Sequence, residues 1–128
     1  MKPRILVVDD NDINLDLLSR ILELEGYLVT IAHSGMEAIQ IAVQLKPDLA
    51  ILDVMMPEMN GYQLCSKLRQ PPCSLRIPIV LLTAMSSDGE RTLALEAGAN
   101  DIWSKPFDMN IFRRRIGELI ANGKFSIV

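Results

Sequence analysis

Asp9 and Asp10 stand side by side behind the apolar run Ile5 to Val8, and Asp53 stands behind a second such run, Leu49 to Leu52. Carboxylates gathered within several ångströms raise one another's pKa, a cost that a divalent cation removes by binding hard oxygen ligands. Magnesium suits such a set, because it accepts a few carboxylates and keeps water or a phosphate oxygen in its other octahedral positions. Thr83 closes a third aliphatic run, Ile79 to Leu82, and Lys105 follows the weaker segment Asp101 to Ser104. A lysine ammonium is a flexible point charge that suits a phosphate oxygen. A carboxylate beside a metal and a lysine can attack phosphorus and become an acyl phosphate, with cations neutralising charge on the phosphoryl oxygens in transit. In that chemistry Asp53 is the nucleophile. Asp10 is expected to bind the metal directly and Asp9 through water, with the backbone carbonyl of Met55 as a further ligand; Asp9 and Asp10 can exchange these roles. Taken singly, each residue has a plainer use, since aspartates cap helices, threonines end strands and lysines are solvated. Their joint placement carries the expectation.

Convergence of this kind needs a scaffold that gathers strand ends. Candidate strands at Ile5–Val8, Leu28–Ile31, Leu49–Leu52, Ile79–Leu82 and Asp101–Ser104 alternate with helical periodicity, and continuous aliphatic runs suit parallel strands covered on both faces. Ile13, Leu17, Leu18, Ile21 and Leu22 share a face of a first helix that stops at Gly26. Ser34 and Glu37 form a capping-box pattern for a second helix running to about Leu45. A third helix begins near Gly61 and ends before Pro71 and Pro72, and a fourth is capped by Ser87 or Asp88 and closes at Gly98. Ile111, Phe112, Ile116, Leu119 and Ile120 give the last helix its apolar face. Right-handed crossovers turn five such units into an α/β, flavodoxin-like doubly wound parallel sheet of order 2-1-3-4-5 with five helices. In that order strands one and three are neighbours, and their carboxyl ends border the crevice where such sheets hold ligands.

The chain's 128 residues bound it to one domain, and 49% hydrophobic with 23% charged residues is the mixture of a soluble globular protein. A net charge of -3 offers no basic field for nucleic acid or anionic membrane. No apolar run approaches the roughly 18 residues of a membrane span, so a cytoplasmic location is the default. Cys65 and Cys73 lack metal-ligand spacing and read as reduced thiols. His33 reads as a loop histidine, and Arg113, Arg114 and Arg115 as a solvated basic face.

Ile5-Leu6-Val7-Val8-Asp9-Asp10-Asn11, Leu52-Asp53-Val54-Met55-Met56-Pro57-Glu58-Met59-Asn60-Gly61, Leu82-Thr83-Ala84 and Ser104-Lys105-Pro106-Phe107 together resemble the receiver domain of two-component response regulators, of the single-domain chemotaxis type. The resemblance implies a signalling phosphoacceptor that catalyses only its own phosphorylation and dephosphorylation. It implies transfer to Asp53 from a histidine kinase or histidine phosphotransfer protein, with Mg²⁺ required. Thr83 and Lys105 would then read the phosphoryl group, Lys105–Pro106 would be a cis peptide, and Gly61 would serve the turn after the phosphorylated loop. The fourth helix, fifth strand and fifth helix would form the surface for a downstream protein or a second copy of the chain. Residues 1–122 would be the receiver and 123–128 a short tail with no output domain; an amino-terminal receiver cut from a longer regulator is the alternative.

Receivers commonly carry Tyr or Phe three residues before the lysine, where this chain has Ile102; Trp103 follows and, by strand alternation, faces the other way. Met55 and Met85 occupy the positions that tune phosphoryl lifetime in the family, and neither can orient an attacking water, so slow phosphoryl loss is expected. A phosphatase of the haloacid dehalogenase type needs a second acid where Met55 stands. A flavin carrier would place a phosphate against Asp9 and Asp10, which repel it. A docking-only receiver would not need the intact set of Asp10, Asp53, Thr83 and Lys105.

Overall fold

A computed structural model of the chain describes residues 2–84, 87–105 and 108–123. The elements run β1 (Arg4–Val8), α1 (Asp12–Leu24), β2 (Leu28–Ala32), α2 (Gly35–Leu45), β3 (Leu49–Asp53), α3 (Gly61–Arg69), β4 (Ile79–Thr83), α4 (Asp88–Ala97), β5 (Asp101–Ser104) and α5 (Met109–Gly123). The strands form one parallel sheet of order β2-β1-β3-β4-β5, the expected one. Because every strand runs the same way, all carboxyl ends lie on one edge of the sheet. Register then sets their heights: Val8 pairs with Leu52, Asp53 with Leu82, and Thr83 with Ser104. Asp9, Asp53, Thr83 and Lys105 therefore sit within about a residue of one level.

Side-chain alternation divides the core between the two faces. Leu6, Val8, Ala50, Leu52 and Ile102 pack with Leu64 and Leu68 of α3 and Ala94 of α4. On the other face, Ile5, Val7, Ile51, Val80 and Trp103 pack with Leu15, Leu18 and Leu22 of α1 and with Phe112, Ile116 and Ile120 of α5. Ile102 and Trp103 point to opposite layers, as alternation requires, and Trp103 meets Phe112 edge-on with ring centroids 5.8 Å apart.

Two helical faces differ from the sequence reading. The buried stripe of α1 is Leu15, Leu18 and Leu22, whereas Ile13 and Leu17 are 77% and 56% exposed. The 3-4 spacing of the true stripe centres it away from Ile13, and Leu17 lines a cleft with Leu18, Ile21, Met109 and Lys105. On α5, Ile111 lies outside the stripe of Phe112, Ile116 and Ile120 and is exposed. The caps follow their residue types. Ser34 accepts from the Glu37 amide, Ser87 rather than Asp88 caps α4, and Asn60 and Gln63 form a reciprocal capping box on α3 that the sequence reading passed over. Gly98 ends α4 in the left-handed conformation.

Candidate functional site at the carboxyl edge of the sheet

Three carboxylates meet where β1 and β3 end. Asp9, Asp10 and Asp53 each offer an oxygen, and these atoms lie within 4.8 Å of one another. Asp9 is buried and fixed from both sides: its Oδ1 accepts the Asn11 amide at 2.9 Å, and its Oδ2 accepts the Asn14 side-chain amide at 3.2 Å. Asp53 is buried and Asp10 exposed, so the trio opens to solvent on the Asp10 side. Met55 follows on the loop after β3 with its side chain exposed. An all-oxygen set this close is what a hard divalent cation takes, and the residues fit Mg²⁺.

Lys105 leaves the end of β5 and crosses over β4. Its ammonium donates to Asp53 Oδ1 at 2.7 Å and lies 3.8 Å from Asp9 Oδ2. Burial pushes the Asp53 carboxyl above the ordinary carboxylate range; the Lys105 hydrogen bond opposes this, and the charges of Asp9 and Asp10 add to it. The result is a buried carboxylate held by a lysine ammonium, in a site whose surplus negative charge a metal would neutralise.

The loop from β3 to α3 closes tightly on Asp53. The Val54 amide donates to the Leu82 carbonyl at 2.9 Å, and the Gly61 amide donates to the Val54 carbonyl at 3.0 Å. A Cβ at Gly61 would lie 2.6 Å from the Asp53 carbonyl oxygen and 2.9 Å from the Val54 Cα. Gly61 is thus required by close approach of α3 to the strand end, and not by the turn expected from sequence.

Thr83 is buried at the end of β4, and its hydroxyl donates to Glu90 Oε1 on the first turn of α4 at 3.3 Å. Glu90, Asn11 and Asn14 are the site residues that sequence reasoning missed. Asn11 had a signal, since an asparagine before an apolar-periodic stretch reads as a cap and does cap α1. Glu90 was masked by the Ser87-Asp88-Gly89-Glu90 pattern, which reads as a capping box. Met85, Pro106 and Phe107, and with them the lifetime position at Met85 and the expected Lys105–Pro106 cis bond, lie outside the described residues. His33 sits between two helix starts, with Nε2 3.1 Å from Asp12 and Nδ1 3.5 Å from Glu37.

With this geometry in hand, comparison with known proteins gives a family. The response regulator receiver domain model matches residues 5–117, and the chain belongs to that family. Response regulator PleD of Caulobacter vibrioides is 43% identical over 119 residues, which are 93% of this chain and 26% of PleD. Response regulator MprA of Mycobacterium ulcerans is 41% identical over 124 residues, which are 97% of this chain and 53% of MprA. The chain thus spans between about a quarter and about a half of the curated relatives it matches. Among solved structures, chemotaxis protein CheY4 of Vibrio cholerae superposes with a TM-score of 0.88 at 28% identity, covering 93% of this chain and 99% of that one. The receiver domain of sensor histidine kinase PA1611 from Pseudomonas aeruginosa, described with a magnesium ion coordinated in its active-site cleft, gives 0.83 at 32% identity, covering 94% and 99%. Receiver domains are phosphoacceptor signalling domains served by histidine kinases. Among the described residues no helix is long and apolar enough to cross a membrane.

Proposed function

We propose that Asp53 accepts a phosphoryl group from a phosphohistidine on a kinase or phosphotransfer protein, and that residues 1–122 act as this switch. The observation that carries the reading is Lys105 Nζ 2.7 Å from Asp53 within the acidic trio. An Asp53 oxygen attacks phosphorus, the phosphorus–nitrogen bond breaks, and the departing imidazole keeps that electron pair. Lys105 is near enough to follow the new charge from the carboxylate to a phosphoryl oxygen. Both oxygens of Asp9 already accept hydrogen bonds, from Asn11 and Asn14, which makes it a poorer nucleophile than Asp53. Asp9, Asp10, Asp53 and the Met55 carbonyl would hold Mg²⁺, which would supply neutralising charge for the phosphoryl oxygens. The chain's own catalysis is confined to gaining and losing this group.

The same reading gives the face of α4, β5 and α5 to a downstream protein or a second copy. Its support is a surface with Leu93, Leu95 and Ile111 exposed, beside an Arg91–Asp101 pair at 3.7 Å and Arg115 5.6 Å over the Trp103 ring. The test of the central claim is incubation with acetyl phosphate and Mg²⁺, with and without EDTA, followed by intact mass. A single base-labile phosphoryl adduct that needs Mg²⁺ and is lost in Asp53→Ala is the expected result. An adduct of equal yield in Asp53→Ala would overturn the assignment.

A further inference from the structure

The hydroxyl of Thr83 donates, in the resting arrangement, to Glu90. A carboxylate can only accept, so this bond runs from Thr83 Oγ1 to Glu90 Oε1. The second oxygen of the same carboxylate, Oε2, is enclosed without a hydrogen-bond partner among the described residues. So is the hydroxyl of Tyr62, on the first turn of α3, the helix packed against α4. Burial raises the Tyr62 phenol pKa and the Glu90 charge raises it further. An enclosed phenol donor and an enclosed carboxylate acceptor, each unpaired, are a costly combination unless a second arrangement joins them. Ile102, where the family commonly has its aromatic switch residue, is fixed in the core at 2% exposure and has no polar atom to exchange.

Resting on the phosphoacceptor reading above, we infer that Glu90 is the positioning residue of the switch and that Tyr62 takes the part of the missing aromatic. Glu90 holds the Thr83 hydroxyl toward α4. When a phosphoryl group on Asp53 draws that hydroxyl away, the freed carboxylate accepts from Tyr62 instead, and α4 shifts against α3 rather than against β5. Two hydrogen bonds, Thr83 to the phosphoryl group and Tyr62 to Glu90, thereby replace the single resting bond from Thr83 to Glu90. The switch partner of Thr83 thereby moves from the β5 side of the domain to the α3 side.

The test is a titration with Mg²⁺ and beryllofluoride, a stable phosphoryl mimic, followed by amide shifts in ¹⁵N-labelled protein. Wild type must bind; if it does not, the phosphoacceptor reading fails and the inference with it. In the Tyr62→Phe background Glu90→Ala removes only the resting bond to Thr83 and should tighten beryllofluoride binding about 3- to 10-fold, the scale of one hydrogen bond, whereas with Tyr62 present the lost switched-state bond offsets much of this. Glu90→Gln in the Tyr62→Phe background keeps an acceptor for Thr83 and should stay within about 2-fold of Tyr62→Phe alone. Equal tightening in both variants would mean that only the lost charge matters, and would overturn the inference. Tyr62→Phe should weaken binding about 3-fold alone and have no effect in the Glu90→Ala background, a coupling that a merely structural tyrosine does not produce. Additive effects of the two substitutions, with wild type binding normally, would overturn the Tyr62 half.

Discussion

Substituting Gly61 by alanine places a methyl group against the strand end that carries Asp53. The Cβ would stand 2.6 Å from the Asp53 carbonyl oxygen, 2.9 Å from the Val54 Cα and 3.1 Å from the Asp53 carbonyl carbon, all backbone atoms. Relieving the closest contact to the 3.4 Å of ordinary packing needs a shift of 3.4 − 2.6 = 0.8 Å. No rotamer can absorb it, so either the start of α3 lifts or Asp53 and Val54 move. Overpacking of this kind costs about 1–3 kcal/mol, here concentrated on the Gly61–Val54 and Val54–Leu82 hydrogen bonds. A displacement approaching 1 Å at a reacting carboxylate costs on the order of 100-fold in rate. Urea denaturation should show the loss of stability. Phosphoryl uptake from acetyl phosphate at saturating Mg²⁺, measured well below the new melting temperature, should fall at least about 10-fold. A folded variant within about 0.5 kcal/mol of wild type and with unchanged uptake would show that the close approach does not position Asp53.

Arg69→Met should cost about 2 kcal/mol, because its guanidinium donates to the carbonyls of Gly98, Leu75 and Ile77, the shortest at 2.6 Å, and these lose their partner; uptake by the folded variant should match wild type. Phe112→Ala, removing a fully buried ring under Trp103, should cost about 3–5 kcal/mol by the same denaturation assay. The Asp53 carboxyl is raised from its ordinary 3.8, so the folded state holds that proton more tightly than the unfolded chain. The contribution of Asp53 to metal-free stability is therefore greatest in acid and declines as pH rises from near 3.8 through the raised value. Urea midpoints in EDTA should show this slope, and Asp53→Asn should flatten it. Mg²⁺ affinity should run the opposite way, weakening as pH falls through the same window.

The sheet order and the carboxylate trio were legible because both rest on patterns of types rather than on contacts. Aliphatic runs of four or five residues mark buried parallel strands, and aspartates directly behind the first and third of them can meet in only a few topologies. Ile13 and Leu17 misled, because an apolar residue on a helix declares only a preference, and α1 carries more of them than its buried stripe accommodates. Gly61 was legible as a needed glycine but not for its reason, since a close approach between elements leaves no local trace, unlike a positive φ. Glu90 was hidden for a related cause. Its spacing from Ser87 satisfied a local motif, whereas its carboxylate is turned to Thr83, and nothing within one segment reveals which of two uses a side chain serves.

Lys105 is 52 residues from Asp53, and both stand on strands that touch only through β4. During synthesis the aspartates emerge first, and the cation that steadies them comes near the end, after β5 has found its place at the margin of the sheet. Until then the three carboxylates lack the Lys105 ammonium, and pairing of such distant parallel segments is among the slower events in folding. A chain that ends before β5 would carry the three aspartates without the lysine that contacts them. Closure of the carboxylate site by Lys105 is in this way tied to completion of the fold.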